Sequence, residues 1–141
     1  VQGVEVKVLT DAIYAEFSGS SVSSLVGGRM FEDFAPPRTE YPYIVYSIIT
    51  SVKDKTFTEE FKDTTVQFSI FSTSSSSSEI KEIYKGVSEL YDECSLHLSE
   101  GTLLRMHEVN LVPMPIENTG SPNAPLLCRH YAVDFEILTE N

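Results

Sequence analysis

The chain has 141 residues, enough for one domain that buries most of the surface its unfolded form exposes, and its apolar fraction of 41% predicts a folded core. Ten basic residues against 21 acidic ones leave a net charge of -11, which repels phosphate and argues against nucleic-acid binding in favour of solubility or a basic partner. No stretch approaches the roughly 20 apolar residues of a membrane span, and no charged segment leads into an apolar one at the N-terminus, so a soluble intracellular protein without a membrane partner is expected.

The opening segment, VQGVEVKVLTDAIYAEFS, carries two periodicities. Val4, Val6 and Val8 alternate as in a strand, whereas Val4, Val8, Ala12 and Ala15, with Leu9, Ile13 and Phe17, recur at helical spacing. Its length favours a helix, stopped by Gly19 between Ser18 and Ser20. VSSLVGG has room for one further helical turn, ended at Gly27 and Gly28. A short strand, RMFEDF, follows. Pro36, Pro37 and Pro42 then form an arm that cannot be helical and lacks backbone donors.

The arm feeds a strand over residues 43–52 that is apolar on both sides. Tyr43, Val45 and Ile49 lie on one face, and Ile44, Tyr46 and Ile48 on the other. Strands of that kind are normally covered twice. The second cover is either another part of this chain, such as its N-terminal segment or a loop, or a second molecule. KDKTFTEEFKD, residues 53–63, is predicted to be a charged hairpin tip too polar for burial, and TTVQFSIFS the returning strand, with Val66, Phe68 and Ile70 on one face.

The serine-rich run that follows reads as linker over residues 72–75. Ser76 and Glu79 then have capping-box spacing. Ile80, Ile83, Tyr84, Val87, Leu90, Tyr91 and Cys94 mark one stripe of a helix behind them. Two strands close the chain, LLRMHEVNLVPM and CRHYAVDFEIL, separated by the turn-rich PIENTGSPNAP. In the last strand Tyr131, Val133, Phe135 and Ile137 face in, while His130, Asp134 and Glu136 face out. The predicted order is α-β-β-β-α-β-β over a single domain, residues 1–141. It forms an α+β layer, a mainly antiparallel sheet of about five strands with two helices on one face.

No chemistry-bearing constellation stands out. Cys94 and His97 are three apart, yet no CxxC or HxxxH pattern supplies further ligands, and Cys94 belongs to the apolar stripe. Without a signal peptide, Cys94 and Cys128 are expected reduced. No GxSxG elbow or phosphate loop occurs, and Glu59–Glu60 at a hairpin tip reads as a solvated pair. No catalytic residue, metal or cofactor is expected. The informative features are surfaces: Pro36, Pro37, Pro42, Tyr43 and Tyr46 on the arm and its strand, and Phe57, Glu59, Glu60 and Phe61 on the hairpin tip.

The sequence resembles the tail completion, or tail terminator, proteins of long-tailed bacteriophages. The resemblance lies in AIYAEFSGSSVSSLVGGRMF, a proline arm leading to PYIVYSI, the charged hairpin, TTVQFSIFS, SSEIKEIYKGVSELYDE and HYAVDFEI, in that order along nearly the whole chain. It implies a non-enzymatic virion protein, assembled in the host cytoplasm, that forms a hexameric ring on the head-proximal end of the tail tube. There it would stop tube growth and join tail to head. Implied partners are further copies of itself, the major tail tube protein, and a head-completion, adaptor or stopper protein. DNA would pass through without specific binding, past acidic walls for which Asp134, Glu136, Glu59 and Glu60 are the candidates. The nearest competing readings are another neck, head-closure or tail-tube component, and a monomeric accessory α+β binding domain.

Overall fold

A computed structural model describes residues 5–55 and 60–140, without the side chains of residues 54 and 55. In the described part of the ambiguous opening segment a helix forms: α1 spans Val6–Phe17 and turns Leu9, Ala12, Ile13 and Phe17 inward, while Val4 lies outside the described residues. Helical spacing prevails because only that geometry puts these four side chains on one buried stripe. The short α2, Ser21–Leu25, is capped by Ser20, whose Oγ accepts from the Ser23 N–H. It ends where Gly27 and Gly28 take positive φ values of 60° and 74°, as the glycine pair predicted.

Five strands follow or flank α3, which covers Ser78–Tyr91: β1 is Met30–Glu32, β2 Tyr43–Lys55, β3 Glu60–Ser72, β4 Thr102–Asn118 and β5 Leu127–Glu140. They make one sheet in the order β1-β2-β3-β5-β4. All neighbours are antiparallel except β1 and β2, which run parallel with Met30 opposite Ile44. The architecture is the predicted α+β layer, with one short helix added and the sheet mixed at one edge.

The three helices cover one face. Ile44 and Tyr46 of β2, Val66, Phe68 and Ile70 of β3, and Val133, Phe135 and Ile137 of β5 meet Leu9, Ile13, Val22, Ile80, Ile83, Val87 and Tyr91 in a single core. Phe68 is its centre: its ring stacks on Tyr91 at 4.8 Å and meets Phe135 edge-on at 5.5 Å. The Tyr91 hydroxyl donates to the Ile13 carbonyl at 2.7 Å, tying α3 to α1. Burial holds that phenol well above its ordinary pKa, so it remains a donor. On the other flank of α3, Tyr84 and Ser88 both donate to Glu108 of β4 at 2.6 Å.

Two local expectations need correction. The capping box does not form. The Ser76 Oγ accepts from the Ser78 N–H at 3.1 Å, and Glu79 instead accepts from the Ser72 hydroxyl at 2.7 Å. The carboxylate is better used closing the entry from β3, because Ser72 is fully buried and needs a partner. The charged segment 53–63 is also not a loop throughout, for β2 continues to Lys55 and β3 begins at Glu60. Lys62, Thr64 and Thr139 are buried there, with Thr139 Oγ1 donating to the Lys62 carbonyl at 3.4 Å. Ladder pairing with β5 satisfies the backbone of this polar stretch, so side-chain polarity did not exclude it from the sheet. Phe57 and Glu59 lie outside the described residues.

Candidate functional site

The sheet has a second face, on the side away from the three helices. On β2 it carries Tyr43 and Val45, on β3 Phe71, Ser69, Gln67, Thr65 and Asp63, and on β5 His130, Ala132, Asp134 and Glu136, as the strand registers place them. The strand that appeared apolar on both sides is therefore covered by helices on one side only. Ile44 and Tyr46 enter the core, while Ile49, at a register shift, and Val52 are exposed.

One end of this open face is aromatic. Phe31 meets Tyr43 edge-on at 6.4 Å, Tyr43 stacks on Phe71 at 4.9 Å, and Phe71 stacks on His130 at 4.3 Å, a row crossing four strands. Tyr41, at the end of the arm, adds a fifth ring 5.1 Å from Tyr43. Burial, and then the neighbouring Tyr41, push the Tyr43 phenol up to about 12, so it stays neutral. Burial also lowers the His130 pKa, favouring a neutral imidazole in the row. Its Nε2 has no hydrogen-bond partner among the described residues.

The other end is acidic. Gln67 Nε2 donates to Asp134 at 2.9 Å, and Asp63 lies beside Glu136. Burial, followed by the Glu136 charge, raises the Asp63 pKa. Ionising Asp63 thus costs folding free energy. That cost is absent below the unfolded carboxyl range and appears as pH rises through the raised folded value. Asp63→Asn should therefore raise the melting temperature at pH 7 and leave it unchanged near pH 3. An equal gain at both values would place the effect in packing.

The arm is anchored rather than loose. Arg29 Nε donates to the Pro42 carbonyl at 3.1 Å, Arg29 also donates to the Tyr41 carbonyl at 3.4 Å, and its guanidinium lies 3.8 Å from Glu40. Pro36 and Pro37 are exposed in a turn closed by the Thr39 N–H, which donates to the Pro36 carbonyl at 3.3 Å, and the Tyr41–Pro42 bond is cis. Between α1, β1 and the arm lies an open groove of about 510 Å³, lined by Tyr14, Ala15, Phe31, Phe34 and Pro36 among others.

Of the residues singled out from sequence, Tyr43 joins the aromatic row and the three prolines shape the arm. Tyr46 is only 3% exposed and packs against Phe68 in the core, with a margin at the groove. Phe61 and Glu60 open β3, with Phe61 opposite Glu140 at the far end of the sheet. The hairpin tip and the aromatic row are thus separate. Sequence reasoning missed Phe71, which the β2–β3 register brings level with Tyr43, His130, which the β3–β5 register adds, and Phe34, 73% exposed, whose position beside the arm carries no periodic signal.

The described residues offer no group of three or more His, Cys, Asp or Glu that converges as metal ligands. Cys94 and Cys128 are both free thiols raised in pKa by burial, Cys94 to about 11, and so are poor nucleophiles. What the described residues offer is surface: the aromatic row, the acidic end of the sheet face and the groove beside the arm.

A family model described as tail completion protein gp17 matches residues 11–140. A chain from the virion of a native gene transfer agent particle shares the fold with a TM-score of 0.74 at 16% identity, over 94% of this chain and 95% of that one. A search of curated proteins finds no match.

Proposed function

Because this chain belongs to the tail completion protein gp17 family, and is thereby a structural protein of the virion tail, we propose that it forms a ring of six copies on the head-proximal end of the tail tube. There it ends tube polymerisation and joins the tail to the head connector. Its partners in this reading are further copies of itself, the tail tube protein below and a head-completion or stopper protein above. The observation that carries the reading is the sheet face away from the helices with its half-buried aromatic row, Phe31–Tyr43–Phe71–His130. A row of aromatic side chains across a sheet face without a helix on it is a surface for protein contact.

The acidic end of the same face gives the ring its channel. Asp63, Asp134 and Glu136 repel phosphate, so DNA slides past them without being held. The purified protein should give no gel shift with duplex DNA at about 50 mM salt, where electrostatic binding is strong. Asp134→Lys with Glu136→Lys should create one if the assembled channel is lined as proposed. A shift by the unaltered protein would refute an acidic channel.

Electron microscopy of particles lacking this protein tests the terminator role. Tube of unregulated length and unjoined heads are expected, whereas tails of normal length would assign the chain to another neck component. Light scattering of the purified chain tests the ring. Assembly should increase with salt, since screening over about 8 to 10 Å weakens repulsion between copies of charge -11.

A further inference from the structure

We propose that the copies join head to tail, with the β4–β5 hairpin of one copy seated in the groove between α1, β1 and the arm of the next. The proposal rests on the ring reading and names its contact. The sheet order puts β1 and β4 on opposite edges, so groove and hairpin belong to opposite edges of the sheet. Two unlike patches so placed make a heterologous contact, the kind that closes into a ring when its rotation permits.

The hairpin is built for contact. From Val112 to Leu127 every residue is exposed, yet Val112, Met114, Ile116, Leu126 and Leu127 are apolar, Ile116 being 51% and Leu127 57% exposed. Its tip is ordered by its own bonds. Asn118 Oδ1 accepts from the N–H groups of Gly120 and Leu126 at 3.0 Å each, and the Thr119 N–H donates to the Leu126 carbonyl at 2.7 Å. A Cβ at Gly120 would lie 2.3 Å from the Ala124 carbonyl oxygen, so the turn requires glycine. A tip ordered in advance loses little entropy on docking. Pro113 and Pro115 lack N–H donors on the edge strand β4, which disfavours simple strand addition and leaves side-chain contact.

The occupant of the groove is argued from charge. Glu117 is the single charged residue from 112 to 127, in a chain of net charge -11. Two such chains approach most easily where charge is least, and this hairpin is the longest exposed stretch of that kind. On the receiving side Phe34 and Tyr14 are exposed; two carboxylates line the groove, Asp11, paired with Lys7 at 2.7 Å, and Glu32, so an incoming segment with little charge of its own is repelled least.

Two variants of the full chain test this. Ile116→Asp with Leu127→Asp disables the hairpin, and Tyr14→Asp with Phe34→Asp disables the groove. Each alone should stay monomeric under conditions in which the unaltered protein assembles. Mixed in equal amounts they should form heterodimers and nothing larger, since each supplies the half that the other lacks. Should either variant fail to fold, Ile116→Ser and Phe34→Ser replace them, each expected to weaken self-association at least about tenfold. Rings from either variant alone, a mixture that remains monomeric, or serine variants that associate normally would overturn the contact and leave the ring reading standing. An unaltered protein that is monomeric at every concentration and ionic strength would overturn both.

Discussion

Phe68→Ala should cost about 3 to 5 kcal/mol of folding stability, the range for truncating a buried aromatic. Phe68 is fully buried on a central strand, with rings of Tyr91, Phe135 and Tyr46 around it. Truncation opens a cavity where α3, β2 and β5 meet, and it also forfeits aromatic pairs worth about 0.5 to 1.5 kcal/mol each beyond their buried area. A domain of this kind has only about 5 to 15 kcal/mol in total, so the variant should be close to unfolding at 37 °C. Ile83→Ala, on the buried stripe of α3, should cost about 2 to 5 kcal/mol, and partly buried Leu90 less. Glu82→Ala on the exposed side should change stability by no more than about 0.5 kcal/mol. Urea titration measures all four. If Glu82→Ala matched Ile83→Ala, the helix faces would be wrongly assigned.

Shortening the β2–β3 hairpin should leave a folded protein that no longer joins tails to heads. Lys53 pairs with Lys62 in register, so residues 54–61 can be replaced there by Asn-Gly, the two-residue turn that matches strand twist. The cut spares Lys62, whose carbonyl accepts from buried Thr139, and it removes only the last pairing of β3 with β5, Phe61 with Glu140. The melting temperature should therefore move by only a few degrees, while complementation of particles lacking this protein is lost. The removed segment holds Phe57, Glu59, Glu60 and Phe61. Aromatic side chains among charges of both signs suit a docking tip with an apolar anchor. Full complementation by the shortened chain would make the tip a solvated loop with no role in joining.

The candidate surfaces were only partly legible in the sequence. Tyr43 and the prolines drew notice because apolar runs and proline are local signals, but the rest of the aromatic row was not visible. Phe71 and His130 are 59 residues apart in the chain and reach one face only through the β3–β5 register. The same holds for the groove, since Tyr14, Phe34 and Pro36 meet through packing of α1 against the β1 edge.

What the sequence by itself determined is everything with a local period. The α3 stripe, the inward set of β5, the alternation of β3 and the glycine stop after α2 follow from repeats of 3.6 and 2 residues and from backbone sterics, which act within one element. Tertiary structure alone decided the parallel seating of β1 on β2, the insertion of β5 between β3 and β4, and the extension of both hairpin strands through a charged stretch. It also decided which side of the doubly apolar β2 the helices cover, and where Glu79 spends its carboxylate. The physical reason is common to all of these. Backbone ladders pair N–H with C=O whatever the side chains are, and burial depends on which surface arrives from far along the chain. Tyr43 and Tyr46 are three residues apart and of one type, yet one is left on an open face and the other is sealed in the core.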